Sequence, residues 1–317
     1  MGKNEKKLIE VLRPSVGMTR GDLLKKLGVS EKVFDKCLKT RFPGFHIFTQ
    51  RFETEQVYYL SSMGKPFSLE PRIWKAIRCS NHKKPYLWVH FPNTNWKKIT
   101  VVPLSDLQWG ANECNEERIR EYIAWIARED NVFAFINGDL LNNALPGSVS
   151  GSVLQDKLKP REQVLTMIEL LKPVAHKILW AIPGNHEERT VKVAGIDPLE
   201  WICSVLNIPY FDQPVFVNIL WKGHRFNFYC FHGVSSSRTM GGKLNAASRP
   251  MEWTEFIMFF VMGHVHEPIA NPVTRRCILR EYDANGELKK LKVVDRDQYV
   301  IICSAWLEFW SSYAHRA

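Results

Sequence analysis

Seven positions in this 317-residue chain end apolar runs with groups able to hold a metal or move a proton. Asp106 follows "KKITVVPLS", Asp139 follows "NVFAFING", Asn185 and His186 follow "KILWAIPG", His232 follows "RFNFYCF", and His264 and His266 close "FVMGHVH". One histidine ending a strand is an ordinary hydrogen-bonded boundary residue; five strand ends all carrying carboxylate, carboxamide or imidazole point to a shared site. Oxygen and imidazole donors without thiolate suit Mn²⁺, Fe, Zn²⁺ or Mg²⁺ better than a soft metal. Such ions activate water and offset charge on an ester under attack. Extended spacing puts His264 and His266 on one side of the chain.

The runs before these residues are the elements that must position them. "KKITVVPLSD", "NVFAFINGD" and "KILWAIPGNHE" read as apolar strands, separated by the amphipathic helices "ERIREYIAWIAR" and "KPREQVLTMIELLKPV". Helix "DPLEWICSVLNI" follows, and then "VFVNILW", "RFNFYCFHG", "FIMFFVMGH" and "QYVIICSAW" read as strands. Apolar strands alternating with amphipathic helices predict an α/β fold whose strands are buried between helical layers. Ligands of such sheets collect at the carboxyl ends of the strands, where these polar residues fall.

In order and spacing, "SDLQWG" (105–110), "NGDLLNN" (137–143), "PGNHE" (183–187), "FHG" (231–233) and "GHVH" (263–266) resemble the motifs of the calcineurin-like metallophosphoesterase family. The resemblance covers residues 97–310, and it implies a four-layer β-sandwich flanked by helices and a two-metal site. Asp106, Gln108 and His266 would hold one ion, Asn185, His232 and His264 the other, and Asp139 would bridge them, with Mn²⁺ the first choice of metal. By the same resemblance, the ions would sharpen a bridging water into hydroxide for in-line attack, His186 would protonate the leaving oxygen, and Glu187 would orient the His186 ring. One position departs from the family: its first motif is D-x-H, and Gln108 stands where the histidine belongs. A carboxamide oxygen is a weaker donor than imidazole, which implies a loosely held or different first ion.

Protein phosphatases of the superfamily usually carry "GDxxDRG" and "RGNHE"; "GDLLNNA" and "PGNHE" lack both arginines, which disfavours phosphoserine or phosphothreonine as substrate. Phosphodiester chemistry remains, resembling the superfamily's DNA repair exonucleases. The alternatives are a phosphatase or phosphodiesterase for a small nucleotide, or a non-catalytic scaffold on the same fold. Charge favours a polymer: residues 1–100 carry 20 Lys and Arg against 8 Asp and Glu, whereas residues 101–317 carry 23 against 25. All the excess positive charge of the chain therefore lies in its first third, as expected for a basic module that meets polyanions.

That module reads as three helices, "NEKKLIEVLR", "MTRGDLLKKLG" and "SEKVFDKCLKTRF", then the alternating "GFHIFTQRFETEQVYYL" of a two-stranded wing. The pattern is similar to a winged helix-turn-helix domain over residues 1–62. Lys32, Lys36 and Lys39 share one face of the third helix and Arg41 follows, the residues expected to contact nucleic acid, DNA above all. Residues 63–96, with four prolines, read as a connector in which "KKPYLWVHF" is a possible strand, and residues 97–317 as the catalytic domain. The segment "GVSSSRTMGGKLNAASRP" (233–250) reads either as a lining of a nucleic-acid path or as a mobile surface loop. Seven cysteines without a CxxC predict reduced, mostly buried thiols, and the start "MGKNEKKLIE" lacks a signal-peptide apolar stretch, so a cytoplasmic chain without membrane contact is expected.

Overall fold

The structure is a computed structural model that describes residues 4, 6–8, 18–38, 46–52, 55–61, 72, 74–79, 85–146, 148, 156–282 and 286–308. The chain divides into two compact units, Met1–Leu69 and Glu70–Ala317. Among the described residues no helix is long and apolar enough to cross a membrane.

The first unit holds β1 (Met18–Thr19), α1 (Arg20–Leu27), α2 (Glu31–Leu38), β2 (His46–Phe52) and β3 (Glu55–Ser61). Its three strands form an antiparallel sheet in the order β1-β3-β2. Left-handed Gly28 stops α1, its N–H bonding the Leu24 carbonyl at 2.9 Å. Leu8, Leu23, Leu27, Phe34 and Cys37 form the core, and Lys32 and Lys36 stand exposed on the other side of α2. Residues 4 and 6–8 are helical. The remainder of the helix expected over residues 4–13 lies outside the described residues, as do Lys39 and Arg41.

The second unit is a sandwich of two sheets between helices. Its elements begin with β4 (Lys75–Cys79), β5 (Tyr86–Phe91), β6 (Thr100–Leu104), α3 (Glu116–Arg128), β7 (Val132–Asn137), α4 (Pro160–Leu171) and β8 (Ile178–Ile182). They continue with α5 (Asn185–Ala194), α6 (Pro198–Leu206), β9 (Val215–Trp221), β10 (His224–Phe231), α7 (Met240–Ser248), β11 (Phe259–Met262), β12 (Ile269–Tyr282) and β13 (Leu288–Ile302). Strands β6, β7 and β8 make a parallel sheet, and the other seven a mixed sheet in the order β12-β13-β11-β10-β9-β5-β4.

Alternation along the strands fixes the layers. Val261 and Cys230 face the inter-sheet core with Phe133, Phe135, Leu179 and Val217, whereas Phe260, Met262, Tyr229 and Val300 face Ala247 of α7 and Met251. Every residue of β7 and β8 is buried because one face meets the other sheet and the opposite face meets helices such as α3, which contacts β7. The central strands thus lie between a helical layer and a second sheet, not between two helical layers.

Two sequence readings are corrected. The segment read as a connector belongs to the large sheet: its possible strand "KKPYLWVHF" is β5, which pairs in parallel with β9, Tyr86 opposite Phe216, and sends Leu87, Val89 and Phe91 into the core, while β4 pairs with β5 unforeseen. The segment read as a loop over residues 233–250 contains α7, capped by the Thr239 side chain accepting from Gly242 N–H. Lys243 of α7 is buried and paired with Glu267 at 3.0 Å, so it is not a solvent-facing cation.

Candidate metal centre

Five strands deliver the site residues. Asp106 follows β6, Asp139 follows β7, Asn185 follows β8 as the first residue of α5, His232 follows β10, and His264 and His266 follow β11. The three-stranded sheet thus supplies acids and amides, and the seven-stranded sheet supplies imidazoles. The loops are left-handed where they matter: Asp106, Gln108, Asp139, Asn143, His264 and His266 have φ between 45° and 71°. Such backbone costs about 1–3 kcal/mol per non-glycine residue and concentrates where side chains must be aimed. Local hydrogen bonds offset it: Asp106 N–H donates to the Gly138 carbonyl, Gln108 N–H to the Asp139 carbonyl, and His264 N–H to Asp106 Oδ1, each at 3.0 Å.

The motif glycines are there for space. A Cβ on Gly263 would stand 2.5 Å from Ser105 Oγ and 2.7 Å from Asp106 Oδ2, and one on Gly184 would overlap the Asp139 carboxylate. Only glycine lets the "GH" and "GN" turns approach the acids this closely.

Two donor groups result. Asp139, His232 and His264 bring one ligand atom each to within 4.8 Å of one another, and so do Asp106, Asp139 and His266, so Asp139 belongs to both. Gln108 joins the second group, its side-chain amide 3.1 Å from His266 Nε2. Asn185 joins the first, its Oδ1 lying 2.7 Å from His264 Nδ1 and 3.2 Å from His232 Nε2. The seven residues expected from the sequence to bind metal are therefore brought together.

The electrostatics fit divalent ions. Asp106 and Asp139 are buried and, among the described residues, face imidazoles in place of Lys or Arg. Buried carboxylates need compensating positive charge. Burial alone would push His232 down, but Asp139 Oδ2, 3.2 Å from its Nε2, drives it up to about 10. Burial likewise opposes ionisation of Asp139, and His232 and His186 reverse that, leaving it well below the usual carboxylate range. The cluster thus draws protons to the places where cations would sit. His232 Nδ1 lies 2.9 Å from the Asn137 carbonyl, to which its N–H donates, so Nε2 is the atom turned to the acids.

His186 and Glu187 differ from each other. His186 is buried, its N–H donating to Asp139 Oδ1 at 2.9 Å and its Nε2 3.6 Å from Asp139 Oδ2. Burial pushes it down to about 4, Asp139 opposing and the Arg189 charge assisting. Glu187 does not orient the His186 ring. Its carboxylate accepts from the N–H groups of Asp139 at 3.0 Å, Leu141 at 3.0 Å and Gly184 at 2.8 Å, fastening the second motif loop to the start of α5. Burial and then the charge of Asp139 push it up to about 7, against those donors.

Sequence reasoning missed the supports. Asn143 donates from Nδ2 to the His186 carbonyl at 2.7 Å while its N–H bonds Gln163 Oε1 at 2.8 Å. Arg189, which ends the "NHEER" run, donates to the Asn142 carbonyl at 3.0 Å. Asn143 sits in the quoted "NGDLLNN", and a second polar residue inside a buried turn was the available signal.

A sandwich whose two sheets bring acids and imidazoles to one buried edge is the framework of a metal-dependent hydrolase. A family model, calcineurin-like phosphoesterase, matches residues 99–295, more than half of the chain. The chain belongs to that family, which hydrolyses phosphoesters with divalent metals. No curated protein matches the chain.

Proposed function

We propose that the chain is a two-metal phosphodiesterase that cleaves DNA. The observation carrying this reading is that Asp139 belongs to both donor groups, which suits a pair of ions acting on one phosphoryl group. Asp106, Gln108, Asp139 and His266 would hold one ion, and Asp139, Asn185, His232 and His264 the other. Bound there, the ions would supply Lewis-acid charge for the phosphoryl oxygens and lower the pKa of water; Mn²⁺ is the first candidate for this donor set, ahead of Fe, Zn²⁺ and Mg²⁺.

His186 is the proton donor to the leaving oxygen in this reading. It is held beside Asp139 by its own backbone N–H, and an anionic diester arriving next to it would raise its affinity for a proton. Glu187 acts as a positioning residue that keeps Asp139 and Gly184 in register.

Support for DNA comes from the basic first unit. Two short helices and a three-stranded antiparallel sheet suit a winged helix-turn-helix, and exposed Lys32 and Lys36 lie on the helix that would meet phosphates. The test is Mn²⁺-dependent cleavage of single- and double-stranded DNA and RNA beside a chromogenic phosphodiester and a phosphomonoester. DNA and the diester cut, with the monoester untouched, is the expected pattern. A preference for the monoester, or for free nucleotides over DNA, would sink the DNA reading. DNA cleavage unchanged in His186→Ala and Asp139→Asn would remove the site from catalysis.

A further inference from the structure

Strands β12 and β13 outrun their sheet. Only Tyr299–Ile302 of β13 pairs with β11; residues 288–298 pair, among the described residues, with β12 alone. Eleven residues at about 3.4 Å each make a two-stranded ribbon of roughly 37 Å projecting past the sheet. It leaves from the end opposite the metal centre, because β11 and β13 run in parallel and His264 follows the carboxyl end of β11.

The two faces of this ribbon differ. One face carries two cations and two acids: Arg276 pairs with Asp295 at 3.1 Å, Thr274 donates to Asp297 at 2.8 Å, and Arg280 stands opposite Leu291. On the other, register places Arg275 directly opposite Arg296, with Lys292 opposite Leu279 and Lys290 opposite Glu281. Arg275, Lys290, Lys292 and Arg296 form no ion pair among the described residues. Like charges directly opposite each other weaken a ladder, so a bound anion would relieve this pair.

The cationic face runs into exposed aromatic surface. The Arg296 guanidinium lies over the Phe256 ring, 5.5 Å from its centroid. Phe256 is 62% exposed although its backbone is left-handed with φ of 61°, an unusual state for a bulky residue. Trp253, three residues earlier, is 60% exposed and meets the Tyr229 ring nearly at right angles, centroids 5.3 Å apart. Cations beside rings open to solvent are the pattern that grips a phosphate backbone while bases stack. Double-stranded DNA keeps its bases stacked inside, so the rings favour an unpaired strand.

We propose that Trp253, Phe256 and the cationic face of the β12–β13 ribbon form a docking surface for single-stranded nucleic acid, separate from the metal centre. It rests on the nuclease reading in that it would hold a strand of the substrate, but binding is measurable without cleavage. A fluorescein-labelled oligothymidylate is titrated by anisotropy into the full chain in EDTA, at several salt concentrations, beside a duplex of equal length.

Phe256→Gly removes the ring while accepting the left-handed backbone, and is expected to weaken oligothymidylate binding about tenfold or more. Arg275→Glu with Lys292→Glu is expected to lower the salt slope by about 1.4 or more, at about 0.7 for each lost phosphate contact. Arg275→Glu alone places a carboxylate opposite Arg296, so its melting temperature stays level or rises while binding falls; a merely structural role would move both downward. Unchanged oligothymidylate affinity in Phe256→Gly and in the charge-reversed pair, or a loss in these variants that is as large for the duplex as for the single strand, would overturn the proposal. A chain that binds the oligonucleotide through these residues yet cleaves no DNA would refute the nuclease reading and keep the surface. One that cleaves DNA while these variants bind like the parent would refute the surface alone.

Discussion

Replacing Glu187 separates a structural clamp from a catalytic partner. Its carboxylate accepts three buried backbone N–H groups, two of them, from Asp139 and Gly184, converging on Oε2 and the third, from Leu141, on Oε1. Alanine would strand all three donors at about 1–3 kcal/mol each, so about 3–9 kcal/mol, comparable with the entire stability of many domains. Glutamine is the informative change. With its carbonyl in the Oε2 position it keeps two donors satisfied and turns an amide N–H₂ toward the Leu141 N–H, for a cost of about 1–3 kcal/mol. At about 2–4 °C per kcal/mol for a unit of this size, the expected fall in melting temperature is roughly 2–12 °C. Scanning calorimetry in EDTA reads it without metal, and Mn²⁺ titration then asks whether Asp139, whose N–H the carboxylate holds, still binds. A melting temperature within a degree of the parent would refute the clamp. Normal melting with turnover lost would instead restore a role for Glu187 in orienting His186.

Gln108→His puts an imidazole beside His266 and is expected to tighten the weaker divalent-ion site about tenfold, or 1.4 kcal/mol; unchanged calorimetric titrations would remove Gln108 from the ligand set. Lys177, buried below α3, donates to the carbonyls of Ile126 at 2.7 Å, Ala127 at 3.2 Å and Glu129 at 2.7 Å, closing the helix end. Lys177→Met should cost about 2–4 kcal/mol in denaturant melts while kcat on a chromogenic diester stays level, and an unaltered midpoint would contradict the cap. Among the described cysteines only Cys277 is not buried, while burial pushes the Cys114 thiol up to about 12 and raises Cys203, Cys230 and Cys303 as well. Iodoacetamide at pH 8 should therefore label Cys277 ahead of Cys37, Cys114, Cys203, Cys230 and Cys303, and equal labelling of Cys114 by mass mapping would contradict that order.

How far the site could be read from sequence depended on whether a residue's task breaks the local pattern. Asp139 and His264 stand out because an acid and an imidazole end apolar runs, which no packing rule requires. Glu187 was legible as part of "GNHE" but its task was not, since an acceptor of three backbone donors and an orienter of a ring look alike in sequence. The glycine at an N-cap followed by glutamate at the third helical position was the missed sign that a helix begins at Asn185. Strand β5 was legible as "KKPYLWVHF", whereas β4 and the pairing of β5 with β9, more than a hundred residues away, were not. The β12–β13 ribbon escaped for a different reason. In "LKKLKVVDRDQ" the alternation runs over only "KLKV", and because Leu291 and Val293 are more than half exposed it marks no core-facing strand.

The same contrast explains why the motif series is short and specific. A donor on a regular strand would point along the pleat, into the core or into the facing sheet; to meet the others it must leave the ladder within a residue or two. Asp106, Gln108, Asp139, His264 and His266 do this through left-handed backbone, and Gly184 and Gly263 leave room for them. Polar residues of modest size tolerate that conformation better than β-branched ones. The chemistry selects the donor and the turn selects the glycine, so each motif is fixed at two positions by two independent requirements. Gln108 meets the requirement of the turn, with φ of 45°, while offering the weaker ligand. In the proposed two-metal reading, a glutamine in the histidine position would therefore leave the fold of the loop intact and act on the affinity and identity of one metal.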